Sequence, residues 1–311
     1  MFPRSNLKWV CHHAHIDKSQ IINSSLLKKS MRHMKDKWHL TNDIKKGYTV
    51  KSLRDRMEYT ILGLYSQNCK YLRTFIDVDD VVQMTCMQEA YKLKRRYKET
   101  LGMNIQLATQ PLGGLVNKIE NLNLFEEACQ IADVVGCLPS IDGLEAEQHL
   151  DIAFSTAKRL NKPVEAHLDQ LNLPIENETE MFCDFVEKYN FQGKARTIHS
   201  ISVSCKTEDK QYEIAERLRE LDVGVVICPS AAISMTQHSE YEAPIHNSIA
   251  PLKVLLESNV KVGLGVDNIR DLFMPLCDGD LSFELKLLAE ATRTYDVDIL
   301  EKIAQNKMGF V

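Results

Sequence analysis

Trp9-Val10-Cys11-His12-His13-Ala14-His15-Ile16-Asp17-Lys18 is the stretch on which the reading of this chain turns: an apolar run that ends in two histidines one residue apart. On an extended strand, residues i and i+2 point the same way, so His13 and His15 can both reach one metal ion. Alone, the pair is weak evidence, and two ordinary strand histidines explain it better. Its weight comes from further along the chain, where other strand-like runs also end in a His or an Asp.

Working outward, short β-branched runs alternate with longer helical patterns. Eight runs read as strands: Leu7 to His15, Tyr71 to Asp77, Asn104 to Thr109, Asp133 to Leu138, Pro163 to Asp169, Arg196 to Ile201, Val223 to Cys228 and Val260 to Asp267. Between them, apolar spacing near i, i+3, i+4 predicts helices over Leu53–Tyr65, Asp80–Tyr97, Leu122–Ala132, Leu144–Leu160, Glu178–Tyr189, Glu208–Leu221, Ile249–Leu256 and Leu281–Thr294. This alternation argues for parallel strands joined by helical crossovers. Eight such units predict an α/β fold of the (β/α)8 TIM-barrel type, with residues 1–311 as one domain. A doubly wound open sheet is the alternative, but no Gly-rich phosphate loop follows any early strand.

Two connections are long, Ser19 to Val50 after the first strand and Pro229 to Ser248 after the seventh. In a barrel these lie on the catalytic face and form lids and pocket walls, which makes Met235, His238, Tyr241 and His246 candidate pocket residues. The Lys/Arg-rich segment from Lys28 to Lys51 reads as a solvated basic loop and the start of a helix.

Composition sets the outer bounds. The 311 residues are 44% hydrophobic and 26% charged, ordinary for a globular protein, and the formal net charge of -5 argues against a nucleic-acid partner. Nine cysteines are scattered singly with no C-x-x-C pair, which suits buried thiols in a reducing cytoplasm better than a disulfide framework. No apolar run reaches the ~18 residues of a membrane span, and the N-terminus lacks a signal-peptide core. The expected partner is a small-molecule substrate.

At the carboxyl ends of the predicted strands stand His13 and His15 on the first, His167 on the fifth, His199 on the sixth and Asp267 on the eighth. Histidines with one carboxylate suit Zn or Fe(II) and leave a position open for solvent. The bound water then ionises near neutrality and becomes a nucleophile.

This order of ligands resembles the amidohydrolase superfamily of metal-dependent hydrolases. His15-Ile16-Asp17-Lys18, Arg73-Thr74-Phe75-Ile76-Asp77, Asp133-Val134-Val135-Gly136, Glu165-Ala166-His167-Leu168-Asp169, and Pro251-Leu252-Lys253 through Gly265-Val266-Asp267-Asn268-Ile269-Arg270-Asp271 to Gly279-Asp280 narrow the resemblance to the cytosine deaminase branch, and within it to the N-isopropylammelide amidohydrolases. The resemblance implies one divalent metal ion, Zn or Fe, held by His13, His15, His167 and Asp267, with His199 as a further ligand or as the base that orients and deprotonates the water. The fourth strand ends Gly136-Cys137-Leu138-Pro139, without the Lys or Glu that bridges two metals in other members. Hydrolysis of a C–N bond in a heterocyclic amine or cyclic amidine is implied, with metal-bound hydroxide as nucleophile and with Lys18, His199 and Asp267 as catalytic residues.

Departures from the bacterial cytosine deaminases bear on the substrate. Gln170 stands where they carry a proton-transferring Glu, Leu112 where a Gln reads the pyrimidine edge, Asn268 in place of an Asp, and Phe273 in place of a Trp. These four are the expected substrate-binding positions, for a substrate other than cytosine. The small β-sandwich that flanks the barrel in relatives is expected to be absent or much reduced, either in a minimal barrel or in a shortened copy. Apolar flank exposed by that loss would favour a homo-oligomer. The same departures support an alternative, a non-catalytic barrel serving as a binding or assembly module.

Overall fold

The computed structural model describes residues 2–3, 6–234 and 249–309. Met235, His238, Tyr241 and His246 lie outside the described residues. Among the described residues there are eight parallel strands: β1 (Trp9–Cys11), β2 (Cys69–Asp77), β3 (Asn104–Gln110), β4 (Val135–Cys137), β5 (Val164–Leu168), β6 (Ala195–His199), β7 (Gly224–Ile227) and β8 (Val262–Leu264). They form a three-stranded sheet ordered β1-β2-β3 and a five-stranded sheet ordered β4-β5-β6-β7-β8. Isolated parallel bridges join the edges of the two sheets, Ala108 to Val134 on one side and Ala14 to Asp267 on the other.

The helices are α1 (Ser24–Lys29), α2 (Met34–Lys45), α3 (Val50–Ser66), α4 (Thr85–Leu101), α5 (Ile119–Ile131), α6 (Ala146–Leu160), α7 (Glu178–Tyr189), α8 (Glu208–Glu220), α9 (Pro229–Ser234), α10 (Leu252–Glu257), α11 (Leu281–Thr292) and α12 (Val297–Gln305). None of the described helices is long and apolar enough to cross a membrane. Apolar helix faces pack on the outer sheet surface in one large core that includes Leu53, Met57 and Ile61 of α3, Phe154 of α6 and Phe182 of α7. A second cluster gathers Phe75, Ala108, Ile198 and Val226 from β2, β3, β6 and β7, so the strands bury side chains on both faces. All nine cysteines are free thiols, and eight of them are buried.

The structure corrects two expectations. The first strand was expected to run to His15, but regular pairing ends at Cys11. The following residues stay extended because both neighbours hold them: Val266 and Asp267 donate their amides to the His13 carbonyl, His15 N donates to Asp267 O, and Phe75 N donates to Ala14 O. Gly265 permits this approach, since a Cβ there would sit 2.7 Å from His13 Cβ.

The basic segment is the second correction. Lys37 and Lys45 are buried on α2, not solvated. Lys45 Nζ pairs with Asp77 at 3.2 Å and also with Asp79, so opposite charge compensates its burial and pins the end of α2 to the sheet.

Candidate metal centre and pocket

Strand register brings the ligand candidates to one place. In the β5–β6 ladder His167 lies opposite Ile198 and Leu168 opposite His199. Paired residues of parallel strands face the same side, and Leu168 belongs to the outer core, so the pleat alone would turn His199 outward. Instead His199 adopts φ +76 and its ring comes to 5.5 Å from that of His167. Asp267 also has positive φ, +58, just past β8. Left-handed backbone in non-glycine residues costs of order 1–3 kcal/mol and concentrates at functional sites.

The polar atoms converge closely. Asp267 Oδ1 lies 3.0 Å from His13 Nε2 and 3.2 Å from His15 Nε2, and the Nε2 atoms of His15 and His167 are 3.4 Å apart. Candidate ligand atoms of His13, His15 and His167 lie within 4.8 Å of one another, as do those of His13, His199 and Asp267. For Zn–N bonds of roughly 2.0–2.1 Å in a tetrahedral site, neighbouring ligand atoms sit about 3.3 Å apart. The 3.4 Å between His15 Nε2 and His167 Nε2 suits a hydrogen bond between neutral rings and also matches the spacing of two ligands of one cation. The donor set fits a single divalent ion.

Second contacts hold the rings. Phe75 packs edge-on against His13 and His167, with centroids 4.8 Å away in each case. Gly136 lets it sit there, because a Cβ at that position would meet the Phe75 ring at 2.6 Å. His167 Nδ1 faces the Cys137 carbonyl at 3.4 Å.

Burial lowers the pKa of His13, His15 and His167, and takes that of His199 down to about 4. Burial raises Asp267, but hydrogen bonds from His13 and His15 outweigh it and leave the carboxyl well below its ordinary range. The cluster at neutral pH is therefore neutral imidazoles around one carboxylate, the protonation state that metal binding needs.

Lys18 lies beside the cluster, buried, with Nζ 2.5 Å from Asp77 Oδ1. Burial alone would lower its pKa, but Asp77 and Asp17 reverse the shift and hold the ammonium above the ordinary lysine range. Asp77 is raised by burial yet falls to about 2 under Lys18 and Lys45.

A single pocket is lined by Lys18, His15, His167, His199 and Asp267 together with all four expected substrate positions, Leu112, Gln170, Asn268 and Phe273. Gln170 Nε2 donates to Ser140 Oγ at 3.4 Å, and Asn268 Nδ2 donates to Asp271 Oδ2 at 2.5 Å. Met34 and Trp38 of α2 close an apolar wall with Leu112, Leu138, Leu171 and Leu173.

Sequence reasoning missed Lys37, Trp38 and Gln110 as pocket residues. Gln110 ends β3, so the strand-end criterion that found the histidines would have found it as well. Asp77 was quoted within a motif without being assigned a role.

No family model matches the sequence. An uncharacterized protein of Haemophilus influenzae is 28% identical over 252 residues, covering 78% of this chain and 88% of that protein. The N-isopropylammelide isopropyl amidohydrolase of Pseudomonas sp. strain ADP is 21% identical over 213 residues, 68% of this chain. The chain matches 49% of the length of that relative, about half. Among solved structures, 5-methylcytosine deaminase from Klebsiella pneumoniae liganded with 5-fluorocytosine aligns with a TM-score of 0.86 and 16% identity, over 96% of this chain and 72% of that one. An amidohydrolase from Burkholderia ambifaria with bound Zn aligns with a TM-score of 0.62 and 11% identity, over 96% of this chain and 84% of that one.

The relatives and neighbours named above with a stated activity are amidohydrolases and a deaminase. This is the kinship to which the motifs around His13-Ala14-His15 and Asp267 point, and the structural matches share its fold.

Proposed function

We propose that this chain is a mononuclear metal-dependent hydrolase of non-peptide C–N bonds, a deaminase or aminohydrolase of a heterocyclic amine or cyclic amidine. The observation that carries the reading is the pair of overlapping clusters His13-His15-His167 and His13-His199-Asp267, of which His15, His167, His199 and Asp267 line one pocket. The reading includes closure of the two sheets into one (β/α)8 barrel domain, supported by the Ala108–Val134 and Ala14–Asp267 bridges.

His13, His15, His167 and Asp267 would hold the ion, Zn or Fe. When bound, such an ion makes a coordinated water acidic enough to react at neutral pH and polarises the bond under attack. His199, neutral and beside Asp267, accepts a proton at a ring nitrogen. Asp267, ionised, supplies the one carboxylate of the donor set, its Oδ1 next to the Nε2 atoms of His13 and His15. Lys18 cannot serve as a base, because its ammonium is held protonated by Asp77; it donates a hydrogen bond from Nζ to the substrate or to the departing nitrogen. Gln170 can donate and accept hydrogen bonds but cannot transfer a proton, which argues against the cytosine route. Leu112, Trp38 and Phe273 exclude water from a flat ring.

The test is turnover by metal-loaded protein on a panel of aminated pyrimidines, triazines, pterins and cyclic amidines, read as released amine or ammonia. Release that depends on added Zn or Fe supports the reading. A fully loaded protein inert across the panel would favour a binding role for the same pocket.

A further inference from the structure

Among the described residues, the charges lining the pocket do not balance. Its basic residues besides histidine are Lys18, Lys37 and Arg32, and its one carboxylate among the described residues is Asp267. Lys18 is neutralised by Asp77, and Asp267 is engaged by His13 and His15. That leaves Lys37 and Arg32 without an ion-pair partner among the described residues.

Lys37 is a buried side chain, and its Nζ donates to the Phe273 carbonyl at 3.3 Å and lies 5.9 Å from the Phe273 ring centre. Among the described residues no carboxylate stands within ion-pair distance of it. Asp271, the acid that acts on it electrostatically, commits Oδ1 to the Phe273 and Met274 amides and Oδ2 to the Asn268 amide. An ammonium has three donors, and one neutral carbonyl does not offset the loss of its water. Arg32, exposed at the rim, likewise has no ion pair among the described residues.

The opposite requirement is also present in the pocket. Gln110 is buried and its Oε1 has no hydrogen-bond partner among the described residues, so it offers the pocket an unengaged acceptor.

We propose that the substrate is a flat heterocycle bearing an anionic group, a carboxylate or an equivalent oxyanion, which docks on Lys37 with Arg32 at the rim while a ring N–H faces Gln110 Oε1. This rests on the hydrolase reading and narrows it to a substrate class. A carboxylate on Lys37 makes the charge-assisted hydrogen bond that the protein itself does not supply there. Trp38, Leu112 and Phe273 provide the wall along the ring.

The experiment is calorimetric titration of metal-loaded protein with 2-aminopyrimidine-4-carboxylate and 2-aminopyrimidine-5-carboxylate, each against its own carboxamide. Wild-type protein is expected to bind one carboxylate at least about tenfold tighter than the matching amide. Lys37→Met should abolish the preference and keep amide binding, Lys37→Arg should retain the preference, and Arg32→Gln should reduce it in part. Equal binding of acid and amide, no binding of either acid at millimolar concentration, or a preference that survives Lys37→Met overturns the proposal. A carboxylate preference together with no amine release across the panel would sink the hydrolase reading and leave the anion subsite standing. Amine release from amides with no acid preference would do the reverse.

Discussion

At the residue scale, His199 is where geometry and chemistry separate most cleanly. His13 and His15 contact Asp267 and His167 clusters with them, whereas the His199 ring centre stands 5.7 Å from that of His13, on a left-handed backbone that turns it toward the site and brings a ring nitrogen within 4.8 Å of His13 and Asp267 ligand atoms. His199→Ala is therefore expected to keep bound metal and lose roughly 10²–10⁴ in turnover, the usual worth of a general base. His167→Ala is expected to lose the metal. Atomic absorption on the two variants separates the roles, and metal loss from His199→Ala would make it a ligand. Gln170 gives a second test: Gln170→Glu restores a carboxyl that can carry a proton, and gain of cytosine deamination would show that this pocket admits a pyrimidine. No gain points to a pocket reshaped by Leu112 and Phe273.

At the scale of elements, α2 is the piece the sequence hid. Its buried positions, Met34, Lys37, Trp38, Thr41 and Lys45, follow helical spacing, but three of the five are polar, so no hydrophobic period marks the helix. The eight strands and the crossover helices were legible because they bury apolar faces: α7 runs from Glu178 to Tyr189 as the spacing predicts. Boundaries at the strand ends were less legible, since His13 and His15 are held by neighbouring backbone and not by a regular ladder. The ligand set was legible because each member stands at a strand end. Lys37, by contrast, reaches the pocket from a helix that the pattern did not reveal. Lys45 makes α2 testable. Lys45→Met leaves Asp77 and Asp79 facing each other without their shared cation, and breaking a buried pair this way costs about 3–5 kcal/mol. Thermal melting should show that loss together with weaker substrate binding, as α2 carries Lys37 and Trp38. An unchanged melting point would mean that the ion pairs do not anchor the helix.

At the scale of the whole molecule, burial places acids where ionisation opposes the fold. Glu284 on α11 is buried against Ser230 of α9, whose amide donates to its Oε2 at 2.9 Å, and burial pushes its pKa up from 4.5 to about 7. Because the folded-state value is raised, its stabilising contribution is fully present below about pH 4.5 and is lost as pH rises through 7. Over that window it amounts to at most about 3 kcal/mol. Melting temperature should fall between pH 5 and 8, and Glu284→Gln should flatten the fall while keeping an acceptor for Ser230. An identical slope in the variant would remove Glu284 from the account.

The same whole-molecule view, in which the ends of four strands bring four histidines and one aspartate together, carries the proposal of a resident ion. Metal content of the protein purified without chelator, measured by plasma mass spectrometry alongside the His167→Ala variant, tests that proposal most directly. The account predicts about one Zn or Fe per chain in the wild type and a large loss in the variant. Wild-type protein that is metal-free and takes up neither Zn nor Fe would contradict it.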